Sequence, residues 1–179
     1  MNRSHATFDQ VRGHSIWLLP RQDQADTLSG WIDQLSGAVV GQSFDPHVTL
    51  HGQVERSEHE LFALIEAFAG RKGPIDLELD SLLFTEAYFR SIILAGRDEG
   101  SIHSMKMALL KDLDLNTSKP FLPHASLYYG QQNDDWKRKA VEPLNIELPL
   151  VLHLERVALV HTEGSVAHWR EVASFDLRK

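Results

Sequence analysis

His47 and Thr49 stand two residues apart in the stretch FDPHVTLHG (Phe44–Gly52), and His124 and Ser126 stand two apart in FLPHASLYYG (Phe121–Gly130). In a strand, residues i and i+2 point to one side. Each stretch therefore presents an imidazole beside a hydroxyl, while the intervening apolar residues anchor the opposite side. An imidazole with its ordinary pKa of about 6.5 is neutral or protonated near neutrality, so two of them form an acid and base pair. Placed on opposite sides of a phosphate, one takes a proton from an attacking water and the other gives one to the leaving oxygen. The hydroxyls hold the non-bridging oxygens, where transition-state charge collects. A single H-x-[S/T]-apolar match arises roughly 0.5 times in a chain of this composition, so one copy means little. The prolines in front, Pro46 and Pro123, and the recurrence at equivalent places are what carry the signal.

The elements needed to position these residues can be read from periodicity. His14–Leu19, closed by Pro20, reads as a strand. Leu28, Trp31, Ile32 and Leu35 form the apolar stripe of a helix over 23–36 that Gly37 ends. The first histidine stretch follows as a strand. Ser57 with Glu60 is a capping box for a helix that runs to Gly70, and Ile75–Thr85 is a long strand. The order then restarts with a strand from Tyr88 to Ala95, a helix marked by Ile102, Met105, Leu109 and Leu113, and the second histidine strand. A short helix from Asp134 to Val141, a long strand over 148–160, a turn at 163–165 and a last strand over 169–177 complete the chain. Two matching series, about 14–85 and 88–177, imply one domain of two facing lobes rather than a stacked array.

Composition narrows the chemistry further. With 179 residues, 42% of them hydrophobic, the chain suits one soluble domain. The polar N-terminal segment has no leader pattern, and no apolar run is long enough to cross a bilayer, so a cytoplasmic location and no membrane partner are expected. The absence of cysteine removes thiolate zinc sites and thiol nucleophiles. A net charge of −7 argues against a long nucleic acid and leaves room for a small phosphorylated ligand. His47 and His51 share a face by strict alternation, but no spacing such as HExxH occurs, and neither a metal nor another cofactor is expected. The polar turn over 96–100 lacks the pattern of a phosphate loop. His5, His59, His103 and His153 need no role beyond surface or packing, and Arg90 and Lys119 read as surface cations that could add positive charge near a phosphate.

Together the two histidine stretches and SIWLLP near the start resemble the two-histidine (2H) phosphoesterase superfamily, and within it the cyclic phosphodiesterase branch of plants and yeast. The resemblance spans nearly the whole chain. It implies an α+β, bilobal, pseudo-symmetric fold of two antiparallel-rich sheets with helices outside and the active site in the cleft between lobes. It also implies hydrolysis of cyclic phosphates on vicinal ribose oxygens: ADP-ribose 1″,2″-cyclic phosphate to the 1″-phosphate, and nucleoside 2′,3′-cyclic phosphates to 2′-phosphates. His47 and His124 match the catalytic histidines, Thr49 and Ser126 the phosphate-binding hydroxyls, Trp17 an aromatic near the ligand's base or sugar, and Tyr129 a tyrosine after the second motif. Strict alternation puts Tyr128 rather than Tyr129 on the catalytic side, unless a bulge intervenes. The expected partner is a small cyclic phosphate nucleotide bound by a monomer. Two alternatives stand beside this: processing of RNA ends bearing a 2′,3′-cyclic phosphate, as in the 2′-5′ ligase-like branch, and a non-catalytic module that only binds a phosphate ligand.

Overall fold

The computed structural model describes residues 11–38, 43–97, 100–116 and 120–178. His5, Asp98, Glu99 and Lys119 lie outside them. Among the described residues, seven strands and four α-helices follow in chain order: β1 His14–Pro20, α1 Gln22–Ala38, β2 Val48–Val54, α2 Glu58–Ala69, β3 Ile75–Phe84, β4 Ile92–Gly96, α3 Ser101–Asp112, β5 His124–Tyr128, α4 Asp134–Val141, β6 Leu150–His161 and β7 Arg170–Asp176. Among the described residues no helix is long and apolar enough to cross a membrane.

Every strand pairing is antiparallel, and the sheet order is β1-β2-β5-β4-β3-β6-β7, with β1 also paired to β6. The long strand β6 explains how one ladder makes two walls. Leu154 pairs with Pro20 of β1 and with Ile75 of β3, so β3 and β1 flank β6 on opposite edges. The second half of β6 is held by β1 and β7, and its first half by β3. This gives the stretches β2-β1-β6-β7 and β5-β4-β3-β6, which meet again where Val48 of β2 bridges Ala125 of β5. The long strand that ends each series joins the stretch begun by the other. The two histidine strands thus lie side by side at the seam.

Helix and strand positions follow from the apolar pattern. α2 begins at Ser57, whose side chain accepts from the Glu60 amide while Glu60 reaches back to the Ser57 amide. Its buried residues Leu61, Ile65 and Phe68 join Ile16, Leu18, Val48, Leu50, Ala125 and Leu127 in one core between sheet and helices. Trp17, Ala158 and Val160 form a small second cluster, against which Leu19 and Trp169 pack. Val48, Leu50 and Leu127 are fully buried, and burial of each leucine is worth ~1.5–3 kcal/mol.

One expected strand is shorter than its apolar run suggests. Tyr88–Arg90 forms a single 3-10 turn, and β4 starts at Ile92. Thr85 causes this: its Oγ1 donates to the Arg90 carbonyl and accepts from the Ala87 amide, and its own amide donates to the Ser91 carbonyl. A hydroxyl that bonds local backbone offers the chain an alternative to the ladder. The turn sends Phe89 and Arg90 toward the seam between the histidine strands.

Candidate active site

His47 sits one residue before β2 and His124 is the first residue of β5. In both, Nδ1 meets the carbonyl of the residue two positions back: Asp45 at 2.6 Å for His47, and Leu122 at 2.7 Å for His124. A carbonyl only accepts, so Nδ1 carries the proton and Nε2 is the reactive nitrogen in each ring. The prolines explain why these contacts recur. Pro46 and Pro123 lock their own φ near −65°, and they push Asp45 and Leu122 into extended conformations. That leaves a stiff two-residue span between carbonyl and imidazole.

The two rings open on one cavity of about 240 Å³, lined also by Thr49, Ser126, Trp17, Tyr129, Ser15, Phe89, Arg90 and Trp169. All six residues singled out for the site in the sequence therefore come together. Their environments are unequal. His47 is buried, its ring stacked on Trp17 with centroids 3.6 Å apart and planes 6° from parallel, and with the Phe44 ring edge-on at 6.2 Å. Burial lowers its pKa to about 4; the Asp45 carbonyl opposes that shift and the nearby His124 adds to it. His124 is only half-buried, and its pKa is lowered by burial, against the Leu122 carbonyl, with a contribution from the Arg90 charge.

Trp17 shares the cavity, but one ring face lies against His47 and the residue is 5% exposed. Its visible work is to hold His47 and keep water from it. Ser126 donates through Oγ to the Phe89 carbonyl at 3.0 Å and is hydrogen-bonded to Tyr129. Burial pushes the Tyr129 hydroxyl above its usual range, so it stays protonated and donates. Tyr129 also stacks on Phe44 at 3.7 Å.

The tyrosine question is answered by a bulge. Ile93 pairs with Ser126 and Ile92 with Tyr128, so β5 spends one extra residue, Leu127, against β4. After this step Tyr129 enters the cavity and Tyr128 packs against Trp136 instead. β2 has the same device at the equivalent place: Trp17 pairs with Thr49 and Ile16 with His51, with Leu50 as the extra residue. His51 accordingly does not share the cavity with His47. It sits with Lys106 of α3, and burial followed by the Lys106 charge lowers its pKa. The carbonyl that the bulge frees at Leu50 accepts from the Lys106 ammonium.

Trp169 is a lining residue that periodicity missed, since it read only as the start of the last strand. It stacks on Phe89 at 5.6 Å and stands edge-on to Trp17 and Tyr129, each at 6.0 Å. Trp169 sits just after a 3-10 turn at Val166–His168, and nothing local signals that this turn brings it beside Phe89.

Residues 12–177 match the family model described as cyclic phosphodiesterase-like protein. A cyclic phosphodiesterase of Arabidopsis thaliana is 22% identical over 171 residues, covering 92% of this chain and 94% of the plant protein. Among solved structures, E. coli LigT complexed with 3′-AMP superimposes with a TM-score of 0.64 at 15% identity, covering 95% of this chain and all of LigT. TT0787 of Thermus thermophilus gives 0.63 at 17% identity, covering 93% and 98%.

Proposed function

Because the chain belongs to the cyclic phosphodiesterase-like family of 2H phosphoesterases, we propose that it hydrolyses cyclic phosphates on vicinal ribose oxygens with His47 as base and His124 as acid. The observation that carries this is the equivalence of the two imidazoles, each fixed through Nδ1 by the carbonyl two residues back and both lining one cavity.

The unequal burial supports the division of roles. When the pair holds one proton, it rests on the less buried imidazole, His124, and the more depressed His47 stays neutral. Water then attacks phosphorus, His47 Nε2 takes its proton, and the bond to the leaving ribose oxygen breaks. His124 delivers a proton to that oxygen, giving a phosphate monoester. The pair ends with its proton on His47 and resets by exchange with solvent. Thr49, Ser126 and Tyr129 serve the non-bridging oxygens, and Ser126 must turn from the Phe89 carbonyl to donate. Among the described residues the cavity lining holds imidazole, hydroxyl, amide, guanidinium and aromatic groups and no carboxylate, a donor set suited to an anion.

Nucleoside 2′,3′-cyclic phosphates giving 2′-phosphates, and ADP-ribose 1″,2″-cyclic phosphate giving the 1″-phosphate, are the proposed substrates. A cavity of about 240 Å³ fits the cyclic phosphate and its ribose and leaves the rest of a nucleotide outside. The net charge of −7 favours such ligands over a long RNA. We read the protein as a cytoplasmic monomer. Product analysis on a panel of mononucleotide and ADP-ribose cyclic phosphates, with an RNA carrying the same end, tests the reading. His47→Gln and His124→Gln should each lower turnover by ~10²–10⁴-fold with the fold retained. Turnover of the RNA alone would favour end processing, and a complex without product would make the protein a binding module.

A further inference from the structure

His14 and His161 occupy paired positions at the open ends of β1 and β6. Their rings meet edge to face at 5.1 Å. Glu58, in the first turn of α2, places Oε1 3.5 Å from His14 Nε2. One ligand atom from each of these three residues lies within 4.8 Å of the others.

The state of His14 distinguishes this cluster from ordinary packing. The residue is 6% exposed, and neither ring nitrogen makes a hydrogen bond among the described residues. A buried imidazole gives up hydration at both nitrogens; here Nδ1 has no partner among those residues, and Nε2 has only the Glu58 carboxylate oxygen at 3.5 Å. His47, which is also buried, has its Nδ1 held by a carbonyl. The cleft reaction does not use His14: its neighbour Ser15 faces the cavity, and His14 points to the opposite side, toward α2.

We propose that His14, Glu58 and His161 form a site for a divalent transition ion of the zinc class. Tetrahedral ligands ~2.0–2.1 Å from zinc lie about 3.3 Å from one another, so small side-chain rotations close the present spacing. Two imidazoles and one carboxylate are a donor set that such ions take, with a fourth position left for water or another side chain. Glu163 is at hand for that position, 3.9 Å from His161 Nε2. Arg170 donates to Glu58 Oε1, the oxygen that faces His14, and so holds the carboxylate against the cluster. An open cavity of about 710 Å³, lined by His14, Ser57 and Glu163 among others, provides a path for entry. The ion ties β1, β6 and α2 together behind the cleft wall, where Ser15 and Thr162, the next residues along, are joined at 3.0 Å.

The test is zinc titration of the full chain after dialysis against a chelator, read by thermal unfolding and by the visible absorption of a cobalt(II) substitute. One equivalent should raise the unfolding midpoint of the wild type. Glu58→Gln and His161→Gln should each weaken the response at least ~10- to 100-fold, the range that loss of even a supporting partner produces. Both side chains are partly exposed, at 39% and 30%, so these changes spare the core. The double variant His47→Gln/His124→Gln, which removes the cleft imidazoles, should respond as the wild type does. A wild type without response, a response that survives His161→Gln, or one that needs the cleft histidines would each overturn the site.

Discussion

Replacing Trp17 with leucine should move the acid limb of the pH–rate profile. The indole covers one face of the His47 ring at 3.6 Å, and burial is the main reason that imidazole titrates at about 4 rather than 6.5. That displacement corresponds to roughly 3 kcal/mol favouring the neutral ring in the folded state. In the wild type, kcat/KM for a nucleoside 2′,3′-cyclic phosphate should peak on the acid side of neutrality. Below pH about 4 both rings are protonated and the base is lost. Above the pKa of His124, which burial holds below its ordinary value, both are neutral and the acid is lost. Trp17→Leu admits water to His47, and the acid limb should shift upward by ~1 unit or more while the alkaline limb stays with His124. The same imidazole should shape stability. Its folded pKa is depressed, so the unfolded chain binds the extra proton between pH 6.5 and about 4. Stability should therefore fall as pH drops through that window, by up to roughly 3 kcal/mol, and be unaffected by this group above it. Urea unfolding at several pH values reads this directly, and His47→Gln should remove its share of the slope. A profile whose acid limb ignores Trp17→Leu, or activity that climbs steadily into the alkaline range, would refute the reasoning.

Three further changes probe the surroundings of the site. Tyr129→Phe removes the hydroxyl bonded to Ser126 and should lower kcat/KM by about tenfold, one hydrogen bond's worth, with the fold unchanged by circular dichroism. Lys106→Met leaves the Leu50 carbonyl at the bulge without its ammonium donor and should cost ~1–3 kcal/mol in urea unfolding. Ser57→Ala breaks the capping box of α2 and should cost ~1 kcal/mol in the same assay while leaving kcat unchanged.

Local physics made much of the protein legible in its sequence. The capping box at Ser57 and Glu60, the helical stripe from Leu28 to Leu35, and the alternation that sets His47 beside Thr49 and His124 beside Ser126 involve residues a few positions apart, and their periods are properties of the backbone. The recurrence of the proline and histidine pair pointed to both imidazoles before any fold was known.

Only the tertiary structure decided what depends on cross-strand register and burial. The extra residues at Leu50 and Leu127 turn His51 toward Lys106 and Tyr129 into the cavity, because alternation restarts after a bulge and a bulge is defined by the partner strand. Trp169 and Phe89 meet although 80 positions separate them, and His14 faces His161 across 147. The ordering of the two histidines belongs to this class as well. Identical motifs give identical rings, and it is the covering of His47 by Trp17 and Phe44, against the half-open setting of His124, that separates their affinities for a proton.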